Sequence, residues 1–365
     1  MAAAPPLACV RRAAEALDFS GVVSIAAVGA PHLYARGGGD APFGTDTRFN
    51  LASAGKMFTA VAIGQLIDSG RLRLDDPVGR YVEGLKPATA ALTVRQLLTH
   101  SSGLPEFFLP ENLSTIGHAR SVAELMPLIL QDTPAFTPGS RFEYSSSGFL
   151  LLGRLIERVS GQTYDDYLAR HVFAPAGMTG TSLEPDRAPF QRAAGMTNMP
   201  AFEPGPETAA GAAPPPGPGP RPLGPPSSGP PQGPLRAAAE AGLRGNPAGG
   251  AYSTAGDMQR FFAALTGGRL VSPAMLQAMT SRQIVAFPAS ATAPELDYGF
   301  GFGVGVADGH RWFGHNGGSP GANVETAVFP DDHAALVVMA NRDPPVASRL
   351  YRQLRDQLLH PAACG

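Results

Sequence analysis

Charge is scarce in this chain. Only 16% of its 365 residues are charged, and the formal net charge is −2. No block of Lys and Arg stands out, which argues against nucleic acid as a partner. Cysteine is scarcer still: Cys9 and Cys364 are the only two, near opposite ends. They cannot build a disulfide framework or a metal site by themselves, and the sequence leaves open whether they pair. No apolar run reaches the roughly 18 residues of a membrane-spanning helix. No His/Asp/Glu cluster has metal-ligand spacing, so neither metal nor cofactor is expected. The start, Met1 to Arg12, lacks the charged region and apolar core of a secretory leader. The expectation is a cytoplasmic protein, or one given without its leader.

What is present is core material. Apolar residues make up 44% of the chain, enough for one large domain or two small ones. A short helix is expected over residues 7–17. Strands follow over Val22 to Val28 and Leu33 to Ala35, joined by a turn at Gly29-Ala30-Pro31, with a loop at Gly37 to Asp40. Thr93 is placed to cap a short helix from Val94 to Leu98. Further helices are expected over Val122 to Leu130, Gly148 to Ser160, Tyr164 to Phe173 and Ala255 to Leu265. Strand signals then run Phe300 to Val306, His310 to Phe313, Asn323 to Phe329 and Ala335 to Ala340, linked by short turns. A last amphipathic helix spans Val346 to Leu359. Strands, then helices, then strands indicate an α+β protein whose first and last parts share an antiparallel sheet flanked by terminal helices.

Residues 200–234 differ in kind. They hold 14 Pro and 7 Gly and almost no large apolar side chain. Such a segment cannot bury enough surface to offset its ordering entropy. It is read as a surface insertion in one domain covering 1–365 rather than as a linker between two domains. The α/β part of that domain takes about 7–80 and 250–360, and the helical part about 81–249.

The stretch Asn50 to Ile67 carries the first chemistry. Ser53 stands at the mouth of an apolar helix, and Lys56 follows three residues later. Residues three apart lie on one face of a helix, so hydroxyl and amine are neighbours. The helix N-terminus favours negative charge on the serine oxygen and on whatever it attacks. Met57, Phe58, Val61, Ile63, Leu66 and Ile67 make the helix apolar almost all round, hence buried. A lysine at its root must be paired or neutral. Alone, the four residues read as a capping serine and a surface charge. Two more clusters add weight: Tyr144-Ser145-Ser146 before a helix, and His315-Asn316-Gly317-Gly318 at the end of a strand. Serine chemistry needs a hydroxyl, a base beside it and two N–H donors for the oxyanion.

Ser-x-x-Lys, Tyr-x-Ser and His-x-Gly, in that order, resemble the serine β-lactamase-related family, which includes class C β-lactamases, penicillin-binding D-Ala-D-Ala carboxypeptidases, D-aminopeptidases and esterases. Leu97 to Leu104, Pro138-Gly139, Tyr144 to Gly153, Gly249 to Asp257, Tyr298 to Gly305 and Gly314 to Gly321 share in it. The resemblance covers roughly residues 20–340 apart from the insertion. It implies the β-lactamase/penicillin-binding-protein-like fold, with Ser53 as the acylated nucleophile and Lys56 and Tyr144 sharing the base role. A cationic lysine beside the phenol would lower the tyrosine, and burial would lower the lysine. Moving either by two to three units takes roughly 3–4 kcal/mol. The N–H groups of Ser53 and Gly318 would form the oxyanion hole. Ser146, His315, Asn316 and Gly317 would border the substrate. His100 is expected to hold its loop, and Trp312 and Phe108 to fill core.

Two features bear on the substrate. His315 stands where β-lactamases and penicillin-binding enzymes usually carry a lysine for a substrate carboxylate, and a neutral histidine does this less well. Ser146 stands where many relatives have Asn. Both leave ester hydrolysis intact, so a carboxylesterase for small or medium acyl esters is expected. The alternatives are a β-lactamase, a D-Ala-D-Ala carboxypeptidase or D-aminopeptidase, and a silent binding protein of the same fold. Gly317-Gly318-Ser319-Pro320-Gly321 matches the Gly-x-Ser-x-Gly elbow only formally. That elbow needs an N–H after its serine, and Pro320 has none.

Overall fold

Alternation organises the sheet. In the strand Ala334–Ala340 (β8), Ala335, Val337 and Met339 face one hydrophobic cluster, while Ala334, Leu336, Val338 and Ala340 face another. Side chains two apart share a face of a strand, so an unbroken apolar run fits a strand covered on both sides. The computed structural model describes residues 4–27, 32–37, 42–199, 234–238, 242–289 and 295–360. The turn expected at Gly29-Ala30-Pro31, most of the 200–234 segment and Cys364 lie outside them.

The strands are Gly21–Ala26 (β1), His32–Arg36 (β2), Ile284–Phe287 (β3), Leu296–Tyr298 (β4), Gly303–Ala307 (β5), His310–Ser319 (β6), Ala322–Phe329 (β7) and β8. Their order across the sheet is β2-β1-β8-β7-β6-β5-β4-β3, antiparallel throughout. Gly21 pairs with Ala340, so the first and last parts of the chain do share one sheet. Helices Leu7–Ala16 (α1) and Val346–Leu359 (α8) cover one face with Val10, Leu350, Leu354 and Leu358.

The other face meets Lys56–Asp68 (α2) and Ala255–Thr266 (α6), with Pro273–Met279 (α7) packed into the same cluster. Between α2 and α6 in sequence lie Val94–Leu98 (α3), Ser146–Ser160 (α4) and Tyr164–Leu168 (α5). The Thr93 cap is a reciprocal box: Gln96 N–H donates to Thr93 Oγ1 at 3.3 Å, and Thr93 N–H to Gln96 Oε1 at 2.9 Å. From Lys56 to Gly64, α2 is buried on every side. Phe58 is held edge-on by Phe173 and Phe261, with centroids 5.1 and 5.0 Å away. Truncating such a side chain to alanine costs about 3–5 kcal/mol.

Four strands depart from expectation. β6 runs to Ser319 and not to Phe313, so the third cluster lies inside a strand. Its last residues include Gly314, Asn316, Gly317 and Gly318, residue types with low strand propensity that the pairing with β7 overrides. The strand expected from Phe300 starts at Gly303. Short strands β3 and β4 were not foreseen. Among the described residues no helix is long and apolar enough to cross a membrane.

Candidate active site

The α-helix begins at Lys56, three residues later than the sequence suggests. Ser53 sits in a 3-10 turn, Ala52–Gly55, that leads into α2. The residue before it, Ala52, has φ 43°, in the left-handed region. A non-glycine residue there stores roughly 1–3 kcal/mol of strain and needs outside support. The support is visible. Asn50 Oδ1 accepts the Ala52 N–H at 2.8 Å, Gly250 N–H donates to Ala52 O at 2.8 Å, and Leu51 N–H donates to Ala251 O at 2.8 Å. Gly249, at φ 142°, lies against the Ala52 and Ser53 backbone, where a β-carbon would collide with the Ala52 carbonyl. This explains the Gly249-Gly250 pair.

Lys56 is completely buried. Its Nζ lies 3.4 Å from Ser53 Oγ, 3.5 Å from Ser146 Oγ and 2.5 Å from Ala248 O. The ring of Tyr144 lies 4.8 Å below it and that of Phe149 5.5 Å. Burial brings its pKa down to about 7, against a partial pull upward from Glu106. A neutral amine has two hydrogens and one lone pair, which suits two acceptors and one hydroxyl donor.

Tyr144 moves the other way. Burial raises its pKa, Ser53 draws it partly back, and Glu106 adds to the rise. The expectation that the lysine lowers the phenol is therefore corrected: desolvation outweighs it, and Tyr144 stays protonated. Ser53 is the side chain that draws it down, yet among the described residues the phenol oxygen has no hydrogen bond of good geometry. Tyr144 is held from behind by His100. The two rings stack at 4.2 Å, Ser145 N–H donates to His100 Nδ1 at 3.2 Å, and Glu143 N–H donates to His100 O at 2.8 Å. His100 is itself buried, which lowers its pKa well below the ordinary value, so it is neutral.

β6 closes the other side. A β-carbon on Gly317 would collide with Leu51 O and stand 3.1 Å from Ala54 N, so this strand rests on the Ser53 turn. Gly318 follows it, paired with Asn323 of β7. His315 is buried and faces inward. Tyr298 Oη donates to its Nε2 at 2.9 Å, and its Nδ1–H donates to Asn316 O at 2.5 Å. Burial lowers its pKa to about 3. A neutral imidazole has one donor and one acceptor, and both are taken, which leaves no ring nitrogen for a substrate. Ser319 ends β6 and is followed by a turn and another strand, not a helix. Trp312 packs against the cluster under α8. Phe108 is not core: it is 40% exposed, on the loop after α3.

That loop supplies a residue the sequence did not flag. Glu106 Oε2 accepts the N–H of Ser146 at 3.0 Å, and Oε1 that of Phe108 at 2.9 Å. It caps the start of α4, where the helix dipole favours an anion, and its charge is felt by both Lys56 and Tyr144. A lone Glu in a loop has no local signature.

The Beta-lactamase family matches residues 8–360 of this chain, and the chain belongs to it. Penicillin-binding protein 4* of Bacillus subtilis (strain 168) is 33% identical over 178 residues, 46% of this chain and 39% of that protein. The match thus spans well under half the length of that relative. A penicillin binding protein from Bacillus halodurans superposes with TM-score 0.78 at 26% identity, covering 95% of this chain and 98% of that one. The D-amino acid amidase from Ochrobactrum anthropi SV3 complexed with L-phenylalanine superposes with TM-score 0.75 at 24% identity, with 98% of each chain covered. The last likeness speaks to fold alone.

Proposed function

We propose that this protein is a serine hydrolase working through an acyl-enzyme, with Ser53 as nucleophile and Lys56 as its base. The observation that carries the reading is the buried Lys56 amine, brought down to about pKa 7 and 3.4 Å from Ser53 Oγ. A base tuned near the working pH is effective. The Ser53 proton passes to the Lys56 lone pair as Oγ bonds to the substrate carbonyl carbon. The carbonyl electrons move to oxygen, which the N–H groups of Ser53 and Gly318 receive. Collapse breaks the bond to the leaving group; the departing oxygen takes the proton of the Tyr144 phenol, which regains one from the Lys56 ammonium, so the alcohol leaves and the amine is neutral again. Water then repeats the sequence on the acyl-enzyme. Ser146 holds Lys56 in place, and Asn316 and Gly317 border the acyl group. His315 shapes β6.

The substrates we propose are small or medium acyl esters, making the protein a carboxylesterase. His315 is neutral and offers no cation to a substrate carboxylate, and Glu106 adds negative charge at the same site. Both disfavour β-lactams and D-Ala-terminated peptides. Glu106 also favours a second reading, an amidase for amino-acid amides, whose ammonium group would pair with it. Hydrolysis of p-nitrophenyl butyrate, a chromogenic cephalosporin and D-phenylalanine amide by wild type and Ser53→Ala separates these. Fast ester cleavage lost in the variant supports the esterase. Faster cephalosporin turnover overturns the substrate assignment, and ester cleavage that survives Ser53→Ala overturns the mechanism.

A further inference from the structure

We propose that Asn323 is a positioning residue that aims the Gly318 N–H at the reacting oxygen. The inference rests on the reading above, in which Gly318 is an oxyanion donor. Asn323 is buried at the start of β7, opposite Gly318. Its Nδ2 donates to Gly317 O at 3.2 Å. The carbonyl of Gly317 and the N–H of Gly318 belong to one planar trans peptide, whose two ends point in opposite directions. Fixing the carbonyl end therefore fixes the direction of the N–H.

That direction is toward the cleft. β5 pairs with β6 only as far as Gly314, opposite Gly303. Beyond it no described strand pairs with the outer edge of β6, and the adjoining face rests on the Ser53 turn, as the contact of Gly317 with Leu51 and Ala54 shows. Successive peptide groups of a strand face alternate edges. The Gly317 carbonyl is held on the β7 side, so the Gly318 N–H falls on the free edge.

The other end of the Asn323 amide is tied to α8. Its Oδ1 accepts from Ala347 N–H at 2.8 Å and from Ser348 N–H at 3.4 Å. Pro345, at the N-cap of α8, supplies no side-chain cap, so Asn323 serves as one from a distance. Two backbone donors facing Oδ1 also fix which way round the amide sits, with its NH2 toward Gly317. The same side chain thus caps a helix and orients a peptide, and these two roles separate by substitution.

Asn323→Asp keeps acceptors for Ala347 and Ser348 but puts an acceptor against Gly317 O. The test is the rate at which a fluorophosphonate labels Ser53, together with kcat and KM for p-nitrophenyl butyrate and the melting temperature, all at mildly alkaline pH. The expected result is a melting temperature near wild type, KM little changed, and labelling rate and kcat reduced about ten- to a hundredfold, within the loss known for a missing oxyanion donor. Wild-type labelling rate and kcat in folded Asn323→Asp would overturn the proposal. If that variant does not fold, Asn323→Ala is read well below its melting temperature: a cap alone leaves labelling at the wild-type rate and overturns the proposal, whereas slowed labelling supports it. Wild-type protein that does not label at Ser53 overturns the mechanism itself and the proposal with it.

Discussion

Lys56 Nζ lies 3.4 Å from Ser53 Oγ, and a carboxylate, that of Glu106, acts on it through space. The amine is thus buried beside the nucleophile without a formal counter-charge, held by a carbonyl, two hydroxyls and an aromatic face. This arrangement favours the neutral base over the ammonium.

The acid limb of kcat/KM for p-nitrophenyl butyrate should follow Lys56. Activity is expected to fall tenfold per pH unit below an apparent pKa of about 7, and Lys56→Arg, permanently charged, should be inactive. A pH profile flat through that region would sink the assignment.

The same burial costs stability, with a definite sign. The lysine titrates at 10.5 in the unfolded chain and about 7 in the folded one. Below 7 both states are charged and the folded state carries the whole desolvation penalty. Between 7 and 10.5 the unfolded chain holds the extra proton, so stability rises with pH. Lys56→Met should therefore be inactive yet more stable at mildly acidic pH, by about 1–4 kcal/mol, with the gain shrinking as pH rises. Urea unfolding at several pH values checks this; a gain that grows with pH contradicts it.

Tyr298→Phe removes the donor to His315 Nε2 and leaves a buried acceptor unpaired. The expected loss is about 1–3 kcal/mol in denaturant unfolding. Unchanged stability would mean that the histidine finds another partner, and its inward role would fall.

Glu106→Gln removes a charge that raises the Lys56 pKa and caps α4. The acid limb should move to lower pH, and turnover of substrates bearing an ammonium group should drop relative to neutral esters. An acid limb that stays put would show that Glu106 is insulated from the base.

The sequence showed what local pattern and spacing carry. Ser53 and Lys56 are three apart, and the structure has them in contact; the Thr93 box and the period-two alternation of β8 are of the same kind. What it hid depends on groups without a signature. Ala248 contributes a backbone carbonyl from 192 residues away in sequence. Glu106 caps a helix it does not belong to. The direction of the Tyr144 shift is set by desolvation, which only packing reveals. His315 could be seen as a motif residue, but not that Tyr298 and its own neighbour's carbonyl occupy both nitrogens.

The most direct test of the central claim is to quench the reaction with p-nitrophenyl butyrate in acid and map the bound acyl group by mass spectrometry. A butyryl adduct on Ser53, absent from Ser53→Ala along with the activity, is the predicted result. An adduct on any other residue, or hydrolysis at the wild-type rate by Ser53→Ala, would contradict the account.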